Sequence, residues 1–83
     1  MNRKKLLRRL LDGRLRNVRF NDMVNLAEGF GFRTVHQRGS HRMLMHPDLH
    51  AMLNLQPDGD QAKPYQIRQM LDLVEQFDLK LED

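Results

Sequence analysis

Residues 38–42, Arg38-Gly39-Ser40-His41-Arg42, carry the clearest chemical signal in the chain. A compact Gly-Ser pair delivers a histidine to the start of a strand-like run, Met43 to His46. Imidazole trades protons near neutral pH, and the flanking guanidiniums attract phosphate. That combination on a small chain points to RNA chemistry rather than metabolite chemistry. RNA brings its own nucleophile, the 2′-hydroxyl, so a protein need only move protons and stabilise charge. His41 suits the general base on that hydroxyl or the general acid on the leaving oxygen. Arg38 and Arg42 suit the scissile phosphate and its growing negative charge. The backbone amides of Gly39 and Ser40 can approach a phosphate closely, because glycine has no Cβ in the way. Ser40 can position His41 or donate to phosphate, but no Asp-oriented Ser–His relay is readable that would make it a nucleophile. The bland alternative for His41 is a half-exposed strand histidine with a structural hydrogen bond.

His36 lies five positions back across the same turn. It is either a cross-strand neighbour of His41 or Met43, and so a second acid or base, or an ordinary exposed histidine. Lys63 precedes the last helix, where a lysine can meet a phosphate beside helix N–H groups or simply sit in a solvated loop. His46, Asp48 and His50 imitate a metal cluster. Histidines at i and i+4 share a side only on a helix, and Pro47 argues against one. No metal and no cofactor is expected. With no cysteine there is neither a disulfide framework nor a thiolate site.

The elements that position these groups follow from periodicity. Leu6, Leu7, Leu10 and Leu11 form a helical stripe closed by Gly13. With its arginines it reads as a helix packed on the core, an RNA-gripping arm, or a short membrane-surface helix. Met23, Val24, Leu26, Ala27 and Phe30 mark a second helix, capped by Asn21 or a near neighbour, with Gly31 as its left-handed stop. Three strand-like segments follow: Phe32–Gln37, Ser40–His46 and Ala51–Gln56. Simple alternation puts Phe32, Thr34 and His36 on one face of the first. In the second, His41, Met43 and Met45 share a face, with Arg42, Leu44 and His46 opposite. Pro64 opens a last helix whose stripe is Ile67, Met70, Leu71, Val74 and Phe77. Residues 78–83 read as a frayed acidic tail. The order is α-α-β-β-β-α. Short turns between the strands predict an α+β fold, a three-stranded antiparallel meander with helices on one face.

Eighty-three residues make a single domain, 1–83, too small for a deep pocket, which favours work on a polymer or another protein. The charge is divided: residues 1–42 hold eleven Lys/Arg and three acids, residues 43–83 three and eight. One side of the molecule is therefore expected to face a polyanion. No apolar run approaches a membrane span, and Arg8 and Arg9 break the N-terminal leucines, so no signal peptide is read there. These features fit a reducing cytoplasm.

The second helix, Gly31-Phe32, Arg38-Gly39-Ser40-His41, His46-Pro47 and Lys63-Pro64 occur in one order and spacing. Together they resemble the HicA family of type II toxin–antitoxin toxins over residues 20–79. The resemblance implies a fold like a double-stranded RNA-binding domain and an mRNA-cleaving endoribonuclease (an mRNA interferase) with His41 as catalytic residue. It also implies a HicB-type antitoxin that covers the His41 face. Cleavage would need no metal, and neither membrane nor DNA binding is expected of this chain. Residues 1–19 extend beyond that core as a basic helical extension, and Tyr65-Gln66 stands where many members carry Gly-Thr; both features resemble a longer subgroup. A non-catalytic RNA-binding module and a basic partner-interaction domain are the rival readings.

Overall fold

The computed structural model describes residues 1–82. Its order is α1 (Arg3–Leu11), α2 (Phe20–Gly29), β1 (Arg33–Arg38), β2 (His41–Met45), β3 (Met52–Leu55) and α3 (Pro64–Gln76). The strands form an antiparallel open sheet in the order β1-β2-β3, so this is an α+β fold with the predicted order of elements. Among the described residues no helix is long and apolar enough to cross a membrane.

One apolar cluster joins helices to sheet. Met23, Leu26 and Ala27 of α2, Leu44 of β2, Leu53 and Leu55 of β3, and Ile67 and Met70 of α3 are buried in it. Leu6 and Leu10 of α1 belong to the same cluster, so the N-terminal leucine stripe packs on the core. Leu11, by contrast, is exposed, and so is Phe77, which caps α3 instead of continuing its buried stripe.

Two expectations about helix ends need correction. α2 starts at Phe20, and its N-cap, Arg19, makes no side-chain cap bond. A short tertiary pairing serves instead: Phe20 N–H donates to the Asp60 carbonyl and Ala62 N–H to the Val18 carbonyl. The orphan donor of a first turn needs a partner of some kind, and a loop far away in sequence provides it. The acidic tail is also not frayed through Glu82. Asp78 takes a positive φ, Leu79 N–H returns to the Val74 carbonyl, and Glu82 N–H donates to the Gly29 carbonyl at 2.7 Å.

Arg3 ties this corner together. Its guanidinium donates to Asn25 Oδ1 through Nε and Nη2, at 3.2 and 2.9 Å, and to the Glu82 carbonyl through Nη1. Arg3→Ala is expected to lower stability by about 1 kcal/mol, as for a partly exposed hydrogen-bond cluster. Urea unfolding checks the loss, and hydrogen exchange at the Glu82 amide should speed up with it.

The sheet departs from simple alternation at one place. Thr34 pairs with Leu44, but His36 pairs with Met43, leaving Val35 as a β-bulge. One inserted residue swaps faces for everything after it. His36 therefore leaves the face of Phe32 and Thr34, where alternation put it, and joins the outer face with Met43.

Candidate functional site

The β1–β2 hairpin builds the site. Arg38 pairs with His41, enclosing only Gly39 and Ser40. Gly39 has a φ of +59°, while Ser40 stays at negative φ, the pattern of a type II′ turn, whose twist matches the flanking strands. The tight loop fixes Arg38 and His41 as direct neighbours, with Cβ atoms about 4.5–5.5 Å apart as in any such pair. Because of the bulge, His36 sits diagonal to His41 on the same outer face, about 7–8 Å away at Cα, within reach of a shared substrate group. Without Val35's extra residue His36 would point to the helices.

Arg42 pairs with Gln37 on one side and Leu55 on the other, so it lies on the helix-side face and is half-buried. It meets the outer-face residues where the sheet ends. His36, Arg38, His41, Arg42, Met43, Asn54, Leu55 and Gln56 bring the end of the sheet to a cavity of about 460 Å3, and Tyr65, Gln66 and Gln69 bring α3 to it. Among the described residues no carboxylate lines it, so the basic groups face no counter-charge from them there. Both histidines are exposed. Among the described residues neither imidazole has a hydrogen-bond partner, so the alternative of a structural side-chain hydrogen bond at His41 has nothing to bond to.

Four of the predicted residues thus converge: His36, Arg38, His41 and Arg42. Gly39 and Ser40 form the turn beside the cavity but do not line it. Lys63 is the half-buried N-cap of α3, one turn away from Gln66, and also lies outside the lining.

Sequence reasoning missed the opposite wall. Gln66 is buried, its Oε1 accepting from Gln56 N–H at 3.1 Å and its Nε2 donating to the Tyr65 hydroxyl at 3.3 Å. It clamps the end of β3 to the first turn of α3 and sets the Tyr65 phenol at the cavity. Asn54 pairs with Met43, and its alternation with Leu53 and Leu55 was the available signal that it faces outward.

His46 is the one buried histidine. Its Nδ1 accepts from Asp48 N–H at 3.1 Å, and its Nε2, 3.1 Å from the Phe30 carbonyl, is therefore the donor nitrogen. Its ring stands edge-on to Phe32, centroids 5.4 Å apart. With both nitrogens engaged, His46 closes the end of α2 and offers no lone pair to a metal. Among the described residues no three His, Cys, Asp or Glu side chains gather at metal-binding spacing.

A family model described as the HicA toxin of bacterial toxin–antitoxin systems matches residues 20–77, from the start of α2 to the cap of α3, well over half of the chain. No curated protein and no solved structure matches.

Proposed function

This chain belongs to the HicA family of bacterial toxin–antitoxin toxins, and from that premise we propose that it is an endoribonuclease that cleaves mRNA in the cytoplasm at the His41 cavity. The observation that carries the reading is the meeting of His36, Arg38, His41 and Arg42 in one cavity that no carboxylate of the described residues lines. His41 handles one of the two proton transfers. One base takes the proton of the 2′-hydroxyl, the 2′-oxygen attacks phosphorus, the bond to the 5′-oxygen breaks, and an acid protonates that oxygen as it leaves. His36, on the same face, is placed for the other transfer. Arg38 and Arg42 hold the phosphate from the two faces of the sheet and stabilise its extra charge. Tyr65 supplies an exposed ring on which a base can stack. The route makes its own nucleophile, so no step calls for a metal.

The antitoxin partner of the family is proposed to be HicB-like and to cover this same side. The outer sheet face exposes Val35 and Met52 beside the half-buried Met43 and Met45. Unbranched methionines adapt to a partner surface, and a cover here would also close the His41 cavity.

The test is incubation of the purified chain with end-labelled RNA in EDTA. The expected products are a 2′,3′-cyclic phosphate and a 5′-hydroxyl. RNA that is bound but never cut would overturn the enzyme reading in favour of a non-catalytic RNA-binding module.

A further inference from the structure

A second cavity, about 1150 Å3, is larger than the one at His41. It lies between α1 and the segment 13–17, and apart from Pro64 its lining is outside the residues matched by the family model. Lys5, Arg9, Arg14 and Arg16 line it, with no acidic side chain in the lining among the described residues. Leu6 and Leu10 of α1 point into the core, so the helix is amphipathic, with Lys5 and Arg9 on the wall that faces the groove. Arg9 builds the groove: its Nη2 donates to the Arg16 and Asn17 carbonyls and pins the loop against α1. Asn17 accepts a positive φ to make that bend. Arg14 is offset by Asp12 at 3.6 Å. Lys5 and Arg16 are exposed, and among the described residues neither has an ion-pair partner.

The far wall of the groove is Pro64, the first residue of α3. The next residue, Tyr65, lines the His41 cavity. The two cavities thus have lining residues that are neighbours in the chain at the start of α3.

We propose that this groove is a second RNA-backbone site, which grips phosphates of the substrate beyond the cleaved bond and is supplied by the N-terminal helix of this chain. The inference rests on the RNA reading of the His41 cavity. Its role is positioning: cations fixed on a rigid wall add affinity that does not depend on sequence.

Binding of a short fluorescent RNA with 2′-O-methyl groups, which removes the nucleophile, tests it across a range of salt concentrations. Lys5→Gln/Arg16→Gln is compared with Arg68→Gln/Lys80→Gln. The second pair has the same change in charge, but its residues line the groove on the opposite side of α1. The groove variant is expected to bind more weakly, with its slope of log K against log salt shallower by about 1.4–1.8, the value for two lost phosphate contacts. The control should keep the wild-type slope. Equal slopes in both variants would overturn the second site while leaving the His41 chemistry untouched. No salt-dependent binding by the wild type would overturn the RNA reading and this site together. Circular dichroism confirms the fold of each variant.

Discussion

His41→Ala is expected to slow RNA cleavage by about 10²- to 10⁴-fold, the range for losing one positioned proton-transfer group. That is about 2.7–5.4 kcal/mol of transition-state stabilisation at 1.36 kcal/mol per decade. The fold should not change. His41 is exposed and, among the described residues, its side chain has no hydrogen-bond partner, so truncation removes chemistry without removing packing. The thermal melting curve should overlay that of the wild type, which separates a catalytic loss from unfolding. A substrate with sulfur in place of the leaving 5′-oxygen refines the assignment, because a thiolate leaves without protonation. If His36 is the acid and His41 the base, this substrate restores cleavage by His36→Ala but not by His41→Ala. The reverse pattern would exchange the two roles. Undiminished cleavage by folded His41→Ala would sink the proposed site.

The hairpin that places these groups was legible because its signals are local. Gly39 needs a positive φ, and only a tight turn fits between two strand-like runs. Leu44, Leu53 and Leu55 alternate as a sheet with one buried face requires. The bulge at Val35 was not legible. Nothing in Arg33-Thr34-Val35-His36 announces an extra residue, since bulges arise from how two strands meet. The face of His36 was therefore misread, although the cross-strand reading had already named Met43, its partner in the register, as a neighbour. The wall formed by Gln56, Tyr65 and Gln66 was hidden for a related reason. It depends on where α3 crosses the end of β3, a tertiary fact. The cap of α2 was misassigned because a main-chain carbonyl from Asp60 took the place of a capping side chain. The basic groove was half visible. Charge and leucine spacing of residues 3–11 offered packing and RNA-gripping as rivals, and the structure assigns packing to one face of the helix and a cationic wall to the other.

Gly31 and His46 are two further pieces of the ordered motif set, and the fold explains why they come together. Gly31 has a φ of +100°, and a Cβ added there would lie 2.6 Å from His46 Nε2. The imidazole occupies the space that a side chain would need, because it must reach the Phe30 carbonyl. Gly31→Ala therefore meets two penalties. The left-handed backbone disfavours any Cβ by about 1–2 kcal/mol, and crowding a buried ring adds about 1–3 kcal/mol. A total loss near 3 kcal/mol is expected, equivalent to about 12–24 °C in Tm for a domain of this size. The two parts can be separated. His46→Ala alone destabilises by leaving the Phe30 carbonyl and Asp48 N–H without their partner. In Gly31→Ala/His46→Ala the ring is gone, so only the backbone part of the glycine effect remains. The double variant should thus be more stable than the sum of the single losses predicts, by about 1–3 kcal/mol, the size of coupling seen between residues in contact. Simple additivity in urea unfolding would show that the ring does not set the requirement for glycine at position 31.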